Sequence, residues 1–408
     1  MKRFLALLAL VALSACSGAG AVPKGALPPA GAASHGRAAA DDAVGTPGEH
    51  AQGLPGEHAQ GLPGEHAQGL PGANFACTGI PAAGSADCTI AINVNVTPNA
   101  DPNLPAALIP GFAPADLQSA YALPATSAGG TVAIVDAYDD STAEADLAVY
   151  RSAFGLPACT SQNGCFRKVN QRGQAGSYPA PDLGWSQEVA LDLDMVSAAC
   201  PRCSIVLVEA DSALLDDLGA AVDTAAALGA RAISNSYYAI EWSNQSVEDA
   251  HYRHPGVAIT ASSGDRGYAS YPASSPYVTS VSGTALTRGA GGWTESSWPY
   301  SGHGCSDFTP KPAWQRDATS CTRRSAVDVA AVADPQTGVA TFATAAGGWV
   351  VAGGTSVGAP LVAAAYALSG HPDGPAYSYW HASGFHPIGG ARYTLETGLG
   401  SPNGVAGL

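Results

Sequence analysis

Five short apolar runs limit what this chain can fold into: TVAIVDAY (131–138), SIVLVEA (204–210), RAISNSY (231–237), VAITASS (257–263) and YVTSVSG (277–283). They are nearly continuous rather than alternating, so strands made from them must be covered on both faces. Helical patterns over 143–154, 185–199 and 212–228 lie between several of them. Doubly covered strands separated by helices predict an α/β fold, with a doubly wound, mostly parallel sheet and flanking helices. A further apolar strand at 348–352 and a helix at 359–369 extend the pattern, giving one expected domain over 115–408. An apolar content of 46% is enough for a core of that size.

The N-terminus has a different texture. Lys2 and Arg3 precede an apolar stretch ending in Leu13-Ser14-Ala15-Cys16. This reads as a signal peptide over 1–15, too short to span a membrane comfortably. Its ending resembles a bacterial lipobox, so Cys16 is the expected lipidation site and the chain an exported lipoprotein of the cell envelope or surface. Residues 16–76 are rich in Ala, Gly and Pro, with PGEHAQGL repeated at 47–54, 55–62 and 63–70. Such a tract buries too little apolar surface to offset its ordering entropy and reads as a flexible tether. Residues 77–114 form the expected lead-in to the domain.

Beyond Cys16 there are eight cysteines, an even number suited to an oxidising compartment. The simplest pairing is local: Cys77–Cys88, Cys159–Cys165, Cys200–Cys203 and Cys305–Cys321. Cys200-Pro-Arg-Cys203 could also be a redox or zinc motif, but no second cysteine or histidine pair stands near it in sequence. The formal charge of −15 and the lack of a basic cluster argue against nucleic acid as a partner. An acidic surface is the plain explanation of that charge, and an acidic working environment the sharper one. A monomer is expected.

The chemistry centres on GGTSVGAP (353–360), where Ser356 follows a strand and precedes a helix with Pro360 in its first turn. Backbone N–H groups at a helix start can stabilise an oxyanion, although a serine there can also be an ordinary cap. A nucleophilic hydroxyl needs a base. Asp136, at the end of the first strand, could belong to a Ser-His-Asp arrangement, but no histidine lies between it and His251. A better base is offered by GWSQEVALDLDMVSAA (184–199). Glu188 and Asp192 are four apart and share a helix face, while Asp194 points elsewhere. Buried together, the two carboxyls share a proton, leaving Glu188 to take the proton of Ser356 with Asp192 supporting it. Asp265, in ASSGDRGY (261–268), could hydrogen-bond a developing oxyanion if it is kept protonated.

Together these elements resemble the sedolisin family of serine-carboxyl peptidases. Glu188-x-x-x-Asp192, Ser-Gly-Asp265 and Gly-Thr-Ser356-x-x-x-Pro carry the resemblance, with DLQSAYALP (116–124), SGHGCSDFTPKPAWQ (301–315), VDVAAVADPQTG (327–338) and TGLGSPNG (397–404) in support. It covers about 115–408 and implies a subtilisin-like fold. The activity it implies is that of an endopeptidase acting on peptides or denatured protein, with activity peaking at roughly pH 3–5. Ser356 would be the nucleophile, Glu188 the base and then the acid, Asp192 its partner and Asp265 the oxyanion carboxyl. Calcium is usual in the family, but His386, Pro387 and Thr394 stand where its oxygen ligands are expected, so no cofactor is anticipated. Many members also carry a large folded prodomain, for which residues 17–114 read as too short and too low in complexity. Both departures motivate an alternative from another class, a catalytically silent surface lipoprotein that keeps the fold as a binding module.

Overall fold

Strand Thr131–Ala137 is the hub of the architecture, pairing in parallel with Ser204–Ala210 on one side and Ala232–Asn235 on the other. The computed structural model describes residues 69–124, 126–316, 319–371 and 373–408. Around that hub the main sheet runs 292–297, 279–289, 258–262, 232–235, 131–137, 204–210 and 166–170, with Val329–Val332 joined in parallel to Thr279–Gly289. Only the edge strand Gly292–Ser297 is antiparallel. The sequence-derived strands therefore exist as expected, and their continuous apolar runs are sealed on both faces.

The covering helices also follow the sequence: Ala143–Ala153, Leu183–Ala199, Leu215–Ala227 and Gly358–Ser369. Leu183–Ala199 is buried all the way round, as its apolar composition requires. Its start is set by Asp182, whose carboxylate accepts the free N–H groups of Gly184 and Trp185 at 2.9 and 3.0 Å. Among the described residues, no helix is long and apolar enough to cross a membrane.

Strand Gly348–Gly353 does not join the main sheet. It lies in a separate four-stranded sheet ordered 73–75, 91–93, 348–353 and 339–343. Two of these strands come from before residue 115, so the packed region reaches back beyond both expected boundaries, 76/77 and 114/115. Leu70, the last residue of the third repeat, is buried with Ala73, Ala91, Trp298 and Ala333. Three-residue strands are too short to show a period, which is why the sequence gives no sign of them. The rest of the expected tether, with its histidines, and the expected signal peptide and Cys16 lie outside the described residues.

All four cysteine pairs form as the local pairing anticipates, with Cα separations of 5.5, 4.8, 5.4 and 5.5 Å in chain order. Each lies within the range a disulfide bridges without backbone distortion. Replacing Asp182 with Ala removes a helix cap and is expected to lower stability by about 1 kcal/mol, read as a shift in the urea midpoint at unchanged slope.

Candidate active site

Ser356 lies between strand Gly348–Gly353 and helix Gly358–Ser369 and is completely buried. The chain reaches it through Gly354, whose φ of +94° favours glycine. Glycine is also needed for space, since a Cβ there would sit 1.9 Å from the Thr89 carbonyl oxygen and 2.7 Å from Asp265 Oδ2. Those two oxygens therefore share one pocket beside the residues that lead to Ser356.

The helix Leu183–Ala199 delivers both of its expected carboxyls to this region. Glu188 and Asp192 are fully buried. Glu188 Oε2 accepts the backbone N–H of Thr89 at 2.9 Å. The Ser356 hydroxyl is near enough to favour ionised Glu188, but burial dominates and pushes this carboxyl well above its usual range, with Asp136 adding repulsion. Asp192 is raised likewise, first by burial and then by Asp136 and Glu188, while Ser236 donates to it at 2.8 Å. Asp194 faces away and accepts the Phe342 N–H at 3.0 Å, as its register demands.

Asp136 is the group that sequence reasoning undervalued. It was visible at the end of the first strand but had no histidine to pair with. In the fold it faces Glu188 and Asp192, making a cluster of three buried carboxyls. Among the described residues, neither of its oxygens has a hydrogen-bond partner. Burial and then the charge of Asp140 hold its proton on. Three such groups cannot all ionise without water, so the cluster stores protons.

Asp265 reaches the same centre from the loop after strand Ala258–Ser262. Its Oδ1 accepts from the Thr355 N–H at 2.9 Å and from the Thr355 hydroxyl at 2.8 Å. Its Oδ2 is buried without a partner. Burial pushes this carboxyl up to about 7, with the two Thr355 hydrogen bonds opposing the rise. A carboxyl held neutral this way can donate a proton toward developing negative charge.

The histidines that would complete a conventional triad are engaged elsewhere. His251 and His254 both contact Asp223, and His303 contacts the Ser301 carbonyl. The calcium loop has a similar character. Thr394 commits its hydroxyl to Thr397 and its backbone to Gly398. Its other members are a histidine and a proline, whose side chains offer no oxygen to a hard cation. Cys77, Asp87 and Cys88 also lie together, but both sulfurs are spent in the disulfide.

Thr89 was not anticipated at all. Its Oγ1 donates to Ser262 Oγ at 2.9 Å and contacts Ser356 Oγ at 2.5 Å. Ser262 in turn donates to the Tyr237 carbonyl at 3.3 Å. With one proton on each hydroxyl, the order that satisfies all three bonds directs the Ser356 proton to Thr89.

No protein-family model matches this chain. Kumamolisin of Bacillus sp. (strain MN-32) is 28% identical over 357 residues, covering 72% of this chain and 62% of that protein. The chain thus spans less than two thirds of this relative's length. Among solved structures, Pseudomonas sedolisin, a serine-carboxyl proteinase in complex with two molecules of pseudo-iodotyrostatin, superposes with a TM-score of 0.62. That match is 23% identical and covers 72% of this chain and 96% of the other. The resemblance first carried by short motifs therefore appears in the sequence of one relative and in the fold of another, and the fold is subtilisin-like.

The raised carboxyls make folding take up protons. Asp265, with an ordinary value of 3.8 in the unfolded chain and about 7 in the fold, stabilises fully below about pH 4. That contribution disappears as pH rises toward 7, and at about 1.4 kcal/mol per unit it is worth up to a few kcal/mol. Thermal unfolding followed from pH 4 to 8 should show a falling midpoint, with a shallower slope in Asp265→Asn.

Proposed function

We propose that this chain is an exported serine-carboxyl endopeptidase that hydrolyses peptide bonds in acid. The observation that carries the reading is the buried Glu188–Asp192–Asp136 cluster beside Ser356, with Asp265 nearby and, among the described residues, no imidazole hydrogen-bonded to the hydroxyl. Glu188 removes the hydroxyl proton as Ser356 Oγ adds to the peptide carbonyl carbon. Protonated Asp265 donates to the oxyanion of the tetrahedral intermediate. Glu188 then returns its proton to the departing amine, leaving an acyl-enzyme that water hydrolyses by the reverse proton transfers. Asp192 and Asp136 keep a proton available within the cluster and hold Glu188 in place.

The protein similar to this chain in sequence and the one similar in fold both support a peptidase, and peptides or denatured proteins are the matching substrates. The four disulfides support an oxidising compartment. Anchoring through a lipid on Cys16, in the cell envelope or at its surface, completes the proposal. Among the described residues, the loop around Thr394 gives no reason to add calcium to the chemistry.

Activity should be confined to acid, with its alkaline limb at or below about pH 7, where Asp265 loses its proton. The test is a pH–rate profile of purified protein against a mixed peptide library, with Ser356→Ala beside it. The expected outcome is acid cleavage by the wild type and a loss of at least about a thousand-fold in the variant. Cleavage by Ser356→Ala at the wild-type rate contradicts the nucleophile. Peptide binding without turnover by either protein favours the binding-module alternative.

A further inference from the structure

A segment of the chain itself lies across the Ser356 site. Asp87 and Cys88 pair antiparallel with Tyr238 and Tyr237. Ala91 and Ile92 pair antiparallel with Gly353 and Ala352, immediately before the nucleophile loop. Thr89 and Ile90 bridge the two pairings, and residues 88–91 are all buried. An extended backbone is therefore zipped to the protein on both sides of Ser356. This is how a bound peptide adds a strand to an open sheet edge. At the midpoint, Thr89 engages Glu188 through its N–H and Ser356 through its hydroxyl, while its carbonyl enters the pocket shared with Asp265.

A second feature fixes the segment there. The Cys77–Cys88 disulfide closes a loop with a sequence separation of 11. One end of that loop rests on the start of the helix that bears Glu188. A Cβ on Gly184 would lie 2.9 Å from the Ala76 carbonyl oxygen and 3.0 Å from Cys77 Sγ. The Ala76 N–H also bonds to the Ile90 carbonyl at 3.1 Å, and Ala86 bonds to the Ala213 carbonyl at 2.8 Å. Lifting Thr89 from the site thus requires moving a crosslinked loop attached at several points. A tethered occupant competes with free peptide at a high effective concentration.

We propose that residues 86–91, clasped by the Cys77–Cys88 disulfide, are a resident substrate-like inhibitor of the Ser356 site, so that the enzyme is latent until the clasp yields. This rests on the peptidase reading above and adds its regulation. A short crosslinked strand covers the Ser356 site. The Thr89 hydroxyl, 2.5 Å from Ser356 Oγ, competes with Glu188 for the Ser356 proton, so the docked strand holds the hydroxyl back from its base.

The test compares three full-length proteins: wild type, Cys77→Ser/Cys88→Ser, and Thr89→Trp, whose indole cannot occupy the space Thr89 fills. Two readouts are taken on each. Labelling of Ser356 by a fluorophosphonate probe at pH 5 reports access to the nucleophile. Amide hydrogen exchange over 87–91 reports whether the segment stays docked. The expected result is slow labelling and strong protection in the wild type. Both variants should label at least about ten-fold faster, with faster exchange over 87–91 and unchanged exchange over 131–137. Wild-type labelling as fast as in the variants overturns the proposal, as does loop-like exchange over 87–91 in the wild type. Loss of protection in the variants without labelling in any protein upholds the docked strand and contradicts the peptidase reading instead.

Discussion

Taking carboxyl groups out of water is the constraint around which this molecule is arranged. Asp136, Glu188 and Asp192 have no solvent contact, and Asp265 is only 3% exposed. Among the described residues no arginine or lysine neutralises the first three, so desolvation and mutual repulsion raise all of them and keep them from ionising together. An ionised carboxylate without a partner in such a place costs several kcal/mol, whereas a protonated one costs far less. The fold therefore suits acid, and so does the proposed chemistry. A glutamate can replace an imidazole as a base only where proton exchange with its neighbours is easy and the competing oxyanion carboxyl stays neutral.

The scaffold holds this arrangement in place. Helix Leu183–Ala199 is buried on every side, so neither Glu188 nor Asp192 can swing out to water. Asp136 projects from the central strand of the main sheet, whose backbone is hydrogen-bonded in parallel on both sides. Ser356, the proposed nucleophile, follows a strand of a different sheet, through a glycine with no room for a side chain. Three separate elements place these groups, and geometry of that kind favours a positioned proton transfer.

How much of this was legible in the sequence depended on the range of the interactions. Helix Leu183–Ala199 could be read because two acids four apart inside an apolar helix stand out locally, and only its start moved, to the cap at Asp182. The Ser356 loop and the cysteine pairs were local too. Asp136 was noticed for its place at a strand end, but its part in the cluster depends on two other elements meeting it. Thr89 could not be found at all. Its partners Ser262 and Ser356 lie 173 and 267 positions away, and nothing around it departs from an ordinary loop. The strands at 73–75 and 91–93 were missed for the same reason, because their pairing partners are distant and their length carries no period.

The account depends on Glu188 acting as the base for Ser356. The most direct measurement is the rate of fluorophosphonate labelling of Ser356 in Glu188→Gln against Glu188, both carrying Cys77→Ser/Cys88→Ser so that the cleft is open. Glutamine keeps the size of the side chain and removes its basicity. The account predicts a fall of at least about a hundred-fold, the usual contribution of a general base. Equal labelling rates in the two proteins would show that some other group activates the hydroxyl and would contradict it.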